Sequence, residues 1–133
     1  MSACTLKITD HSVDSTLSRD APYHHDHSGW FPPLMLHNIA GTERTRGTSI
    51  ENAVEVFHIV SLVDAFKKRY PKYFSNIGII AAYRSQRIAL IEALRSRFGS
   101  LSRNEIEVST VDGFQGREKN IIIFSCVRSA IQT

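Results

Sequence analysis

The stretch Thr110-Val111-Asp112-Gly113-Phe114-Gln115-Gly116-Arg117-Glu118-Lys119 brings a hydroxyl, an amide, a guanidinium and carboxylates together around two glycines. Gly116 could let the backbone approach a phosphate closely, Arg117 could neutralise it, and Glu118 could accept hydrogen bonds from a ribose hydroxyl. The same residues also suit a tight connection in which Gly113 and Gly116 supply special dihedrals and the charges are solvated. Composition alone leaves both readings open. A second cluster, His24-His25-Asp26-His27, offers three imidazoles and a carboxylate. It has no partner pair elsewhere, so solvated loop residues are expected there and no metal site is assigned.

The elements that would position the first stretch follow from apolar spacing. Residues 1–31 are rich in Ser, Asp, His and Thr and sustain no apolar period, so an irregular N-terminal segment is expected. Leu34–Ile39, after Pro32-Pro33, suits a strand, and Gly41 to Gly47 reads as a charged loop. Thr48 and Glu51 have capping-box spacing ahead of a stripe formed by Ala53, Val56, Phe57, Val60, Val63 and Phe66, which predicts a helix over roughly residues 50–70. Pro71 blocks its continuation. Ile77–Ala81 is apolar on both alternating faces, as in a strand covered on both sides, and the stripe Ile88, Ile91, Leu94 and Phe98 predicts a helix over 85–98 that Gly99 stops. Strands are expected at 105–109 and 120–127, the second too uniformly apolar for a surface position. This alternation predicts an α/β fold, a mainly parallel sheet flanked by helices. Ligands of such sheets sit at the carboxyl ends of the strands, which here means Ala82–Gln86 and Thr110–Lys119.

The 133 residues are 42% hydrophobic and 22% charged, an ordinary globular balance for one domain. Residues 1–63 hold 4 Lys and Arg against 7 Asp and Glu, whereas residues 64–133 hold 12 against 6. The basic second half suits a polyanion, although solvated helix faces also collect Lys and Arg. No apolar run is long enough to span a membrane, and the start lacks the pattern of a secretory signal, so a soluble intracellular protein without membrane partners is expected. Cys4 and Cys126 are expected to be unpaired thiols.

One resemblance adds to this reading. The stretch from Val108 to Ser129, with Ser-Thr-Val-Asp-Gly-Phe-Gln-Gly-Arg-Glu at its centre, closely resembles motif V of the superfamily 1 helicases typified by senataxin and the nonsense-mediated-decay helicase. Ile77–Gln86 resembles the motif IV strand and loop of that family, and Gly47–Glu55 resembles the segment that opens the preceding helix. The chain departs from the family pattern at Ala81-Ala82, where Thr-Pro or Ser-Pro is common. It departs again at Ile50, a usual aromatic position, and at Ala53, where an arginine can stand.

The resemblance implies part of the second of two RecA-like domains that sandwich ATP, with residues 32–133 as a partial C-terminal RecA-like domain of the P-loop NTPase type. It implies that Gly116, Arg117 and Glu118 face the nucleotide, Glu118 on the ribose and Arg117 near the phosphates, and it matches Asn52 and Glu55 to a family asparagine and glutamate at the helix start, where a cap and a nucleotide contact are equal alternatives. It implies that Ser109, Thr110 and Val111 approach the nucleic-acid backbone and that Tyr83, Arg84 and Gln86 face a bound single strand of RNA or DNA, a use that suits a cation beside an aromatic. The chain contains no Gly-Lys-Ser/Thr phosphate loop, and Thr133 precedes the expected arginine-bearing motif VI. The expectation is therefore a fragment or truncated product of an ATP-dependent helicase, inactive alone and without catalytic residues of its own. ATP and Mg would be bound mainly by the missing first RecA-like domain, and the family favours the nucleus over the cytoplasm. A non-catalytic nucleic-acid-binding or interaction module is the alternative. A small-molecule α/β enzyme sharing only the topology is a third reading.

Overall fold

The computed structural model describes residues 2–7, 34–39, 41–71, 74, 77–100, 106–114, 119 and 121–127. Strands β1 (Ser2–Lys7), β2 (Leu34–Ile39), β3 (Arg44–Arg46) and β4 (Ser49–Glu51) lead into helix α1 (Ala53–Arg69). Then come β5 (Ile77–Ala81), α2 (Arg84–Phe98), β6 (Ile106–Thr110), a single 3₁₀ turn at Asp112–Phe114, and β7 (Ile121–Ser125). Five strands form one sheet in the order β2-β1-β7-β5-β6, and β3 and β4 form a separate hairpin. β7, β5 and β6 run parallel to one another, and β1 is antiparallel to both β7 and β2. The expected α/β class is what the chain adopts, with a three-stranded parallel sheet flanked by helices and β1 and β2 added antiparallel at one edge.

Register decides where the core sits. Ile77, Ile79 and Ala81 align with Ile106, Val108 and Thr110 on one side and with Ile121, Ile123 and Ser125 on the other. Side chains in register share a sheet face. The apolar members of that face form one cluster with Val56, Ile59, Leu62, Val63 and Phe66 of α1 and Leu90 and Leu94 of α2. Both helices therefore cover the same face. On the other face, Phe114 and Lys119 of the connection from β6 to β7 lie over β5 at Gly78, where an added Cβ would lie 2.8 Å from the Phe114 ring and 2.9 Å from Lys119 Cγ. On the same face Lys119 Nζ sits 3.6 Å from the buried Glu107 carboxylate. An ion pair ties the helices together: Asp64 of α1 meets Arg97 of α2 at 2.8 Å, and it also meets Lys68 one turn along α1 at 3.0 Å. These cations hold the Asp64 carboxyl below its usual range, the Lys68 hydrogen bond most of all.

Several local expectations change. Ser2–Lys7 is a strand inside the segment read as irregular, because ladders to β2 and β7 on its two edges fix it without any side-chain period. The rest of that segment, with His24, His25, His27 and Trp30, lies outside the described residues. The charged loop contains the β3–β4 hairpin, closed at Gly47, whose φ of 64° is natural only for glycine. That hairpin takes Thr48 and Glu51 away from the helix start, and the cap is Asn52, whose Oδ1 accepts from the Glu55 N–H at 3.2 Å. Asn52 and Glu55 have the same three-residue spacing as Thr48 and Glu51, but only the cap half of the box forms, since the Asn52 N–H goes to Gln86 and the Glu55 carboxylate to Ser125 and Val127.

The helix faces are also rotated from the expected stripes. In α1 the core line runs Val56, Ile59, Val63, Phe66, which leaves Phe57 75% exposed. In α2 the inward line is Gln86, Leu90, Leu94, at four-residue steps, and Ile88 is exposed. A polar residue leads that line because its amide has partners in the interior. Helix α2 ends as expected, with Gly99 at φ 78° and its N–H bonded to the Arg95 carbonyl.

Candidate functional site

The carboxyl ends of β7, β5 and β6 lie side by side and deliver Cys126-Val127, Ala82-Tyr83-Arg84 and Val111-Asp112 to one edge of the sheet. The N-termini of α1 and α2 meet at the same edge. The Ala82 N–H donates to the Ser125 carbonyl at 3.0 Å, extending the β5–β7 pairing one residue past the strands. Helix α2 starts at Tyr83 without a side-chain cap, and the Ser49 hydroxyl of the hairpin accepts the Ser85 N–H at 3.0 Å. A first-turn donor of α2 is thus satisfied from a distant part of the chain.

Beneath the edge lies a buried polar network. Gln86 Oε1 accepts from the Asn52 N–H at 2.9 Å, and Gln86 Nε2 donates to the Asn52 carbonyl at 3.3 Å and to Ser125 Oγ at 3.1 Å. Ser125 Oγ donates to Glu55 Oε1 at 2.5 Å, and the same oxygen accepts the Val127 N–H at 3.2 Å. Asn52 Nδ2 donates to the Val127 carbonyl at 3.4 Å. Asn52, Glu55, Gln86 and Ser125 are each 0% exposed. Glu55 Oε2 is buried with no hydrogen-bond partner among the described residues.

Val127 itself has a φ of 67°. That region costs a β-branched residue on the order of 1–3 kcal/mol and persists only where the surroundings over-determine it. The neighbouring Cys126 is a free thiol, pushed above its usual pKa by burial and further by the Glu55 charge, both of which favour the protonated form. One turn along α1 from Glu55, His58 Nε2 lies 2.8 Å from His37 Nδ1 of β2. Burial lowers both imidazole pKa values; the His58 charge lowers His37 further, while Glu55 partly offsets the shift of His58.

The sequence-predicted residues divide on this geometry. Tyr83 is half-buried, Arg84 is exposed and Val111 is 50% exposed, and these three lie at the edge. Thr110 is half-buried beside them. Ser109 is buried on the sheet face over which Phe114 and Lys119 lie, and the Gln86 amide is turned inward to Asn52 and Ser125. Asn52 acts as the cap of α1 and a strut of Val127, the structural alternative of its two expected uses. Gly116, Arg117 and Glu118 lie outside the described residues. Sequence reasoning missed Ser125, Val127 and Ser49, none of which carries a local signal, since each acquires its role through a contact more than thirty positions away.

Comparison with known proteins bears on this edge. The family described as "AAA domain" matches residues 5–133. The chain is 41% identical over 102 residues to Helicase sen1 of Schizosaccharomyces pombe, covering 74% of this chain and 6% of that protein. It is 47% identical over 104 residues to the Regulator of nonsense transcripts 1 homolog of Arabidopsis thaliana, covering 73% of this chain and 8% of that protein. The DNA replication ATP-dependent helicase/nuclease dna2 of Schizosaccharomyces pombe matches over 92 residues at 42% identity, which is 69% of this chain and 6% of that protein. The chain thus spans a small part of the length of the curated relatives it matches.

Proposed function

The chain belongs to the family of C-terminal RecA-like domains found in superfamily 1 helicases of the senataxin and nonsense-transcript-regulator type, and from that premise we propose that it carries the motif IV and motif V contacts of an ATP-dependent helicase. In this reading Tyr83 and Arg84, with Thr110 and Val111, grip the backbone of single-stranded RNA or DNA. Gly116, Arg117 and Glu118 approach ATP, Glu118 as acceptor for the ribose and Arg117 near the phosphates. One connection, from Ser109 to Glu118, would touch both ligands, so closure around ATP would shift the hold on the strand.

The observation that carries the reading is the adjacency of the β5 and β6 carboxyl ends, which brings an exposed guanidinium, a half-buried phenol ring and an exposed backbone turn to one edge. A cation beside an aromatic on an open edge suits the phosphates and bases of a single strand. The buried positions of Asn52, Gln86 and Ser109 make them supports of that edge. Among the described residues no group of three His, Cys, Asp or Glu could hold a metal ion, so no step here is routed through Mg, which is assigned with the triphosphate to a first RecA-like domain. No helix among the described residues is long and apolar enough to cross a membrane.

Fluorescence anisotropy with a single-stranded oligonucleotide at two salt concentrations tests the proposal. Binding should be weak and should fall as salt rises, because phosphate contacts release counterions, and Arg84→Ala should reduce both the affinity and its salt dependence. Binding that ignores salt, or that is unchanged in Arg84→Ala, counts against this edge. The isolated chain should release no phosphate from ATP, with or without the oligonucleotide.

A further inference from the structure

We infer that Glu55 is the positioning residue of this edge: its buried carboxylate holds Val127 in the left-handed backbone region and so sets the direction in which the chain leaves β7. Three observations meet at this residue. Val127 combines a positive φ with a branched side chain, a conformation it does not choose unaided. The Val127 N–H donates to Glu55 Oε1, which also takes the Ser125 hydroxyl, so one oxygen fixes both the last residue of β7 and the turn beyond it. The Val127 carbonyl is held from the other side by Asn52, three residues before Glu55 on the same helix start. The start of α1 therefore grips both backbone polar groups of one strained residue, the N–H through Glu55 and the carbonyl through the capping Asn52.

The remaining polar partners close the device. Gln86 at the start of α2 bonds Asn52 and Ser125, so hydrogen bonds join both helix starts to the end of β7. An outlier of this kind, over-determined from several elements and placed where strands open toward a ligand edge, is where strain serves function. The carboxylate uses one oxygen for both donors and leaves Oε2 without a hydrogen-bond partner among the described residues. A neutral amide presenting the same Oε1 can therefore do the same work, and a methyl group cannot. That difference separates a specific hold on Val127 from general packing.

The test uses the full 133-residue chain with Glu55→Ala and Glu55→Gln, read by amide hydrogen exchange at Val127 against Ile123 in β7 and by oligonucleotide anisotropy. In Glu55→Ala, exchange at Val127 should rise about tenfold more than at Ile123, the loss of roughly one hydrogen bond's worth of protection. Oligonucleotide affinity, which rests on the proposed function, should fall about tenfold. Glu55→Gln should keep both within about threefold of the parent, because its acceptor is retained. If Glu55→Ala does not fold, Ser125→Ala replaces it, and the Val127 amide should again exchange faster relative to Ile123. The inference is overturned if Val127 and Ile123 exchange in step, if Glu55→Gln behaves like Glu55→Ala, or if Val127 loosens in a chain that still binds oligonucleotide at parental affinity. A parent chain that does not bind oligonucleotide removes the proposed function instead, and the exchange comparison then decides the role of Glu55 by itself.

Discussion

Replacing Gly78 with alanine probes the packing of Phe114 and Lys119 over β5 with a single methyl group. The new Cβ would stand 2.8 Å from Cε2 and Cζ of Phe114 and 2.9 Å from Lys119 Cγ, closer than carbon atoms can approach. Gly78 sits in a strand with no positive φ, so the cost arises from space and not from backbone strain. Overpacking of this kind costs about 1–3 kcal/mol, and the alanine returns about 0.4–1 kcal/mol by restricting the unfolded chain, which leaves a net loss of about 1–2 kcal/mol. For a domain of this size each kcal/mol lowers Tm by roughly 4 °C or somewhat more. Urea denaturation followed by far-ultraviolet circular dichroism measures the loss directly. Trimming the ring should then relieve part of it: in a Phe114→Ala background, Gly78→Ala should cost less than in the parent, because the two sites are in contact and couple, the remainder being the contact with Lys119 Cγ. A Gly78→Ala chain as stable as its parent, or one whose loss is undiminished without the Phe114 ring, would refute a connection seated on Gly78.

Two further outcomes follow from the same structure. Ile123→Ala should cost about 2–5 kcal/mol by opening a cavity between β7 and the helices, and Ile122→Ala, half-buried on the opposite face, distinctly less; equal losses in denaturant titrations would contradict the assigned faces. The His37–His58 pair has both pKa values lowered from 6.5, so the unfolded chain binds more protons as the pH falls through that value. Stability should be level above about pH 7.5, should decline as the pH drops below the ordinary histidine value, and should lose part of that slope in His58→Gln; an unchanged slope in the variant would exclude the pair as its source.

Much of this architecture was legible because period and punctuation agree. Ile77–Ala81 is the observed β5, and the second helix begins one residue ahead of its predicted start, since Gly99 and the apolar spacing each bound it. The motif V residues identified the family before any geometry was available. What stayed hidden depends on distant partners. Phe57 fits the apolar stripe of α1 as well as Ile59 does, and only the sheet's position decides that Ile59 is buried and Phe57 exposed. Gln86 reads as a ligand contact, and Asn52 equally as a cap or a ligand contact, because a polar residue in a helix start has no local sign of facing inward. Their burial depends on Ser125 and Val127, which come from a strand 39 or more positions away from Gln86. The β3–β4 hairpin was missed because three residues on each side of a turn are too few to establish a period.

The sheet order carries a consequence for how the chain assembles. β7 is the last of the described strands to be synthesised, yet it lies between β1 and β5, flanked by both of the earlier strand pairs. The β1–β2 ribbon and the β5–β6 pair therefore have no shared edge until β7 inserts between them and closes both ladders at once. Every pairing in the main sheet spans more than twenty-five positions of chain, so its formation waits on loop closure and belongs to the slow range of folding rates. Until then two open strand edges are available to other chains, and a ribosome-bound nascent chain holding everything up to β6 would be at its most vulnerable to mispairing.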